Sequence, residues 1–443
     1  MEERVRKQLR ELLQQEVVLA TGCTEPGAVA LCVTKARELL GREPEHIELK
    51  LSKNVFKNAM GVGIPGTGMI GLPIAVAVAV VAGESHRQLE VLTVPQKCVD
   101  EAKKWLANNA NRISIGVNEE GDKLYIECTC SAGSDTATAV ISQRHTNFTY
   151  LAHNGEVLHE HQKVVAPESS STCTVPEDLQ LTARLVYDYA TTAPIEELDF
   201  IRETVKYNDA AATEGLKGYG LQTGKILMEN AAGDIVHTVI ARTVAASDAR
   251  MDGCTLPVYS NSGSGNQGIA CTLPVYNYGK AKGCDEEKIT RALVLSHLMS
   301  IYIKQGIGRL SALCGIVNAS IGVTCGIVYL HGGSFDQMCY AIKNTINTIA
   351  GMVCDGAKPS CALKMSTGLY SAFVSAELAY HDRVVDATDG ISESDVDCSI
   401  HNLGRLGYEG MDQVDDTVLY IMTHKQTCRP QGHNLCRLLQ GTL

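Results

Sequence analysis

The sequence has no run of five or six lysines or arginines, and its formal charge is -11. The electrostatic footprint of a nucleic-acid or anionic-lipid binder is therefore missing. Aromatic residues are scarce, with one Trp and five Phe against 40 Gly, so the interior must be built from helices that approach closely through small side chains. The longest apolar run, Ile70 to Ala82, is broken by Gly71 and Pro73 and falls short of the roughly 20 residues of a membrane helix. The opening segment MEERVRKQLRELLQQEVV is charged and amphipathic and lacks the apolar stretch of a signal peptide. These absences predict a cytoplasmic protein that handles a small molecule, with no nucleic-acid or membrane partner. The sequence is compatible with a homo-oligomer and leaves its order open.

Cysteine is abundant. Seventeen thiols, an odd number, in a long chain without an export signal read as reduced side chains rather than a disulfide framework. Most should be packing residues, because free cysteine behaves as a small buried hydrophobe. A cysteine with a chemical role must stand out by its surroundings.

The periodicity changes twice along the chain. Residues 1–83 read as helix, Gly-rich loop and small-residue helix. From about Gly83, LEVLTV, RISIGV, KLYIECTCSA, TATAVIS and FTYLAH alternate as strands around one helical stretch, VDEAKKWLANNA, with turns at Gly121-Asp122 and Asn154-Gly155. Residues 166–184 form a Pro/Ser/Thr-rich connector, and 185–443 return to helix and Gly-rich loop. The fold class predicted is a mainly α domain, 1–83 and 185–443, with a small α+β domain inserted at 84–165. A hexapeptide, CTLPVY, occurs at Cys254–Tyr259 and again at Cys271–Tyr276, framing a Gly/Ser/Asn loop.

Three cysteines stand out. Cys354 and Cys361 flank the turn-rich segment DGAKPS, which allows two sulfurs to converge, and Cys314 heads a small-residue helix. Three thiolates from neighbouring helix starts suit an iron-sulfur cluster with one iron left open. Spacing alone leaves packed core thiols as an equal reading. Zinc is a further reading, although the paired CxxC knuckles of structural zinc are missing. Cys23 lies beside the start of a helix capped by Thr21 or Thr24, where the dipole favours the thiolate. Cys128, Cys130, Cys325 and Cys339 read as packing residues.

Five segments together, TGCTEPGAVAL, NVFKNAMGVGIPGTG, SGSGNQGI, IYIKQGIGRLSALCG and VCDGAKPSCALK, resemble the L-cysteine desulfidase family, which is related to the alpha chain of iron-sulfur L-serine dehydratase. The resemblance runs over most of the chain. It implies a serine dehydratase alpha-chain-like fold and a 4Fe-4S cluster held by Cys314, Cys354 and Cys361. It also implies Cys23 as the base that takes a substrate Cα proton, and no pyridoxal phosphate. The implied reaction is β-elimination from L-cysteine to pyruvate, ammonia and hydrogen sulfide. L-serine dehydration and a non-catalytic iron-sulfur or redox-sensing role on the same fold are the alternatives. For the substrate, backbone amides around Ser262, Ser264 and Asn266 could cradle a carboxylate. Asn54, Lys57 and Asn58 border a loop that a ligand can approach, and Lys304 and Arg309 could neutralise its charge.

Overall fold

The computed structural model describes residues 1–118, 122–160, 179–308 and 310–425. It is mostly helical, with one six-stranded mixed sheet and two short strand pairs. Two hydrophobic cores organise the chain. The larger one joins the helix Glu3–Glu16, through Leu9, Leu12 and Leu13, to most of the helices from Ala183 onward, while Leu419 of the last described helix belongs to the smaller one. The smaller one packs the helices Thr24–Leu40 and Leu72–Ala82 on the sheet.

The boundary expected at 83/84 is therefore not where the cores divide. The segment His46–Ser52 lies inside the sheet, parallel to Ile113–Asn118 on one side and antiparallel to Tyr125–Ala132 on the other. Its Ile47, Leu49 and Leu51 are buried while His46, Glu48 and Lys50 face solvent, the alternation of a half-exposed strand. Cys128 and Cys130 oppose Leu49 and Ile47, and Cys32 reaches the neighbouring strand, its thiol 3.2 Å from the Ala139 carbonyl. All three thiols are fully buried packing residues.

The strands expected around RISIGV, KLYIECTCSA, TATAVIS and FTYLAH form, and Asn154-Gly155 makes the turn into the edge strand Glu156–Glu160. LEVLTV does not become a strand. It lies largely in the 3-10 segment Ser85–Leu92, with Val91 and Leu92 both buried. Most of the connector and Gly121 lie outside the described residues.

The helical unit centres on Gly315–Leu330, whose small side chains admit close neighbours. A Cβ on Gly322 would stand 2.3 Å from the Ser296 carbonyl oxygen, so two helix backbones touch there. Cys325 is buried inside this packing and Cys339 leans against it. The repeated hexapeptide takes two forms. Its first copy ends in the short strand Val258–Tyr259, while its second lies within the helix Gly265–Ala281 and buries Pro274. Identical residues follow their tertiary surroundings rather than a local preference. No described helix is long and apolar enough to cross a membrane.

Candidate active site

One cavity lies between the two cores. Cys23, Glu25, Asn58 and His145 come to it from one side, and Arg250, Ser262, Asn266, Lys304, Cys314, Cys354 and Cys361 from the other. The structure thus brings together the four cysteines singled out in the sequence, the Gly/Ser/Asn loop, Asn58 and Lys304.

Backbone pairing places Cys23. Leu19 and Ala20 pair antiparallel with Tyr259 and Val258. The amides of Ser260 and Ser262 donate to the carbonyls of Val18 and Glu16 at 2.8 and 2.9 Å. Cys23 itself is the residue before the helix Thr24–Leu40, in extended conformation, so neither Thr21 nor Thr24 is the cap. Its Sγ donates to Glu25 Oε2 at 3.0 Å, and the same carboxylate accepts Thr24 Oγ1 at 3.1 Å and Asn58 Nδ2 at 3.0 Å.

These contacts reverse the expected charge state of Cys23. Burial and the adjacent Glu25 carboxylate push its thiol well above the ordinary range, with Arg250 pulling the other way. Desolvation of a thiolate outweighs a helix dipole of modest strength. Burial also pushes the Glu25 carboxyl up. Nearby His145 and the hydrogen bonds from Cys23, its own amide and Asn58 overcome that and hold it below its usual value. At neutral pH the pair is a thiol donating to a carboxylate. Alkylation of Cys23 by iodoacetamide, followed by peptide mass mapping, should keep rising about tenfold per pH unit through pH 9. A plateau near pH 7 would show the thiolate instead.

The Gly/Ser/Asn loop is held from beneath. Asn261 and Ser264 exchange backbone hydrogen bonds at 3.0 and 2.9 Å around Ser262 and Gly263. Both central residues have positive φ, 48° and 81°, which closes the turn tightly. The Asn261 amide nitrogen donates to the His297 carbonyl at 3.1 Å and lies 3.1 Å from its Nδ1, while His297 Nε2 lies 3.0 Å from Thr272 Oγ1. Burial depresses His297 to about 3, so its ring is a neutral strut. Ser264 caps the helix Gly265–Ala281.

The other three cysteines sit on two tied segments. Cys314 precedes the helix Gly315–Leu330, and Cys361 opens the helix Cys361–Tyr380. Leu313 bridges to Val353, the Cys314 amide donates to the Met352 carbonyl at 2.9 Å, and the Cys354 amide donates to the Ala312 carbonyl at 2.6 Å. Asp355 binds both Lys358 and Lys364 and so braces the loop. Burial first, then Cys354, raises the Cys314 thiol to about 12, and the same two causes raise Cys361. Among the described residues no group of three or more His, Cys, Asp or Glu is arranged to hold a metal ion.

Lys57 and Asn54 do not line the cavity. Lys57 is 1% exposed and forms a buried ion pair with Asp415 of the helix Asp412–Thr423, so its charge is spent on joining two helices. Lys57→Met should leave Asp415 buried without its partner and lower the unfolding free energy by about 3–5 kcal/mol, read by chemical denaturation. Arg309 lies outside the described residues.

Glu25, His145 and Arg250 escaped the sequence reading. Glu25 and Arg250 did leave a trace, each a charge in the first or last turn of a helix otherwise rich in small apolar residues. His145 follows the strand Asp135–Ser142 and carries no such signal, because the register of the sheet decides where it points.

The family model for the serine dehydratase alpha chain matches residues 86–420. A UPF0597 protein of Bacteroides fragilis is 52% identical over 434 residues, covering 96% of this chain and 100% of its own. Those of Phocaeicola vulgatus and Oleidesulfovibrio alaskensis are 52% and 42% identical, covering 95% and 94% of this chain and 98% and 97% of their own. The protein therefore belongs to the serine dehydratase alpha-chain family.

Proposed function

We propose that the protein is an iron-sulfur-dependent β-eliminating lyase that converts L-cysteine to pyruvate, ammonia and hydrogen sulfide, with L-serine dehydration as the alternative reading. Family membership supports a lyase-type role. The observation that carries the finer reading is one cavity lined by three thiols and by a fourth thiol hydrogen-bonded to a carboxylate. Three thiols that share a cavity suit a cluster, where each ligand binds its own iron. They suit single zinc less well, since its short bonds require convergence on one point. The donor set, Cys314, Cys354 and Cys361, fits such a group. When bound, it would supply an open Lewis-acidic iron for the substrate.

The chain's own residues carry the proton. Cys23 hands its thiol proton to ionised Glu25 in the same step in which its sulfur accepts the proton from the substrate Cα, so no free thiolate forms. The electron pair released forms the Cα–Cβ double bond as the Cβ–S bond breaks, and the hydrosulfide that leaves takes up the proton held by Glu25, giving hydrogen sulfide and restoring the carboxylate. The aminoacrylate product tautomerises, and water hydrolyses it to pyruvate and ammonia. Asn58 and Thr24 keep the Glu25 carboxylate aimed at Cys23.

The test is anaerobic reconstitution with iron and sulfide, followed by assay of pyruvate and hydrogen sulfide from L-cysteine and of pyruvate from L-serine. Protein that takes up a cluster yet turns over neither amino acid would overturn the lyase reading in favour of a non-catalytic iron-sulfur role. Turnover of L-serine alone would overturn the substrate.

A further inference from the structure

Arg250 closes the helix Ile235–Met251, is 6% exposed and lines the cavity. Its guanidinium lies against the first turn of the helix Gly265–Ala281. A Cβ on Gly265 would stand 2.3 Å from Nε, so only glycine leaves room for it. One terminal nitrogen donates to the Gly22 carbonyl at 3.0 Å and the other to Asn266 Oδ1 at 3.3 Å. A guanidinium has five N–H groups, and Nε–H is buried with no hydrogen-bond partner.

This arrangement is electrostatically incomplete. Among the described residues no carboxylate pairs with Arg250, and the only carboxylate lining the cavity, Glu25, is already bound by Cys23, Thr24 and Asn58. A buried cation without a counter-charge is costly. It also lies at the positive end of a 17-residue helix, where the dipole and free amides favour an anion. The buried side chain and the helix end thus present positive charge to one space.

We infer that Arg250 and the first turn of Gly265–Ala281 form a carboxylate clasp, and that its ligand is the carboxylate of a small α-amino acid. Asn266 orients the guanidinium. The bond to the Gly22 carbonyl ties the clasp to the residue preceding Cys23, so the anchor and the base keep a fixed separation. The inference rests on the lyase reading only for the amino-acid identity; the clasp itself requires only a small carboxylate. Lys57 is already paired with Asp415, so its charge is not available to the clasp.

The experiment is titration calorimetry of the full-length reconstituted protein with L-alanine, which has no leaving group, and with L-alaninamide, which has no carboxylate. The wild-type protein should bind L-alanine and bind the amide far more weakly. Arg250→Gln should weaken L-alanine roughly hundredfold, as loss of one partner in a buried charged pair does, and leave the amide little changed. Arg250→Lys should recover only part of the loss, since it keeps the charge without the fork. Gly265→Ala, which fills the guanidinium's space with Arg250 intact, should produce the same selective loss and serves if Arg250→Gln does not fold. Equal wild-type affinity for acid and amide overturns the clasp without any variant, as does an equal loss of both ligands in Arg250→Gln. Discrimination between acid and amide without pyruvate from either L-cysteine or L-serine would overturn the lyase reading and leave the clasp standing. Pyruvate formation without discrimination would overturn the clasp alone.

Discussion

Cys23→Ala is expected to keep iron, sulfide and visible colour while pyruvate formation from L-cysteine falls about a hundredfold to ten-thousandfold, the range for loss of a general base. Glu25→Gln should fall comparably, because the thiol would lose the carboxylate that accepts its proton and the glutamine amide cannot take that proton. Cys23 lies at the start of a different helix, and the backbone ties of Cys314 and Cys354 do not involve it, so its removal should leave the proposed ligands in place. Iron per chain and the initial rate, measured anaerobically on the same samples, separate the two roles. Loss of iron in Cys23→Ala would make Cys23 a ligand; retained turnover in Glu25→Gln would remove the carboxylate from the proton path.

The second large effect is the converse. Cys354→Ala and Cys361→Ala should each lose most of the iron, the brown absorbance and the turnover together, since each removes one of three thiolate donors. Both positions are held by a braced loop that packs on the helix Lys53–Ala59, where a Cβ on Gly356 would stand 2.2 Å from the Lys57 carbonyl oxygen. A lost sulfur would therefore not be replaced by a shifted neighbour. Cys325→Ala and Cys339→Ala are the controls and should change stability modestly with full iron content. A variant of Cys354 or Cys361 that retains full iron would exclude that residue as a ligand.

The parts of the fold legible in the sequence are those in which local pattern and tertiary environment agree. Strands such as Tyr125–Ala132 alternate as written, and the helix Thr24–Leu40 follows its apolar run. The strand His46–Ser52 has the same period, with Ile47, Leu49 and Leu51 two apart, but in the chain it stands between two helical segments whose pattern masks it. At the site, the cysteines could be picked out because turn-rich and Gly-rich surroundings mark them. The charge state of Cys23 could not, because it depends on burial and on a carboxylate two residues away whose rotamer no spacing reveals. Lys57 and Arg250 differ for the same reason: the sequence shows cations near glycine-rich segments, and only packing shows that Lys57 is paired with Asp415 while Arg250 keeps a buried N–H without a partner.

The two walls of the cavity belong to different hydrophobic cores, with Glu25 and Asn58 beside one and Arg250 and Cys314 beside the other. A molecule that touches both walls binds only while the cores are docked, so its occupancy is thermodynamically linked to their docking. At a concentration a hundredfold above its dissociation constant, such a ligand adds about 2.7 kcal/mol to that docked state. A ligand held by both walls would thereby couple the unfolding of the two cores.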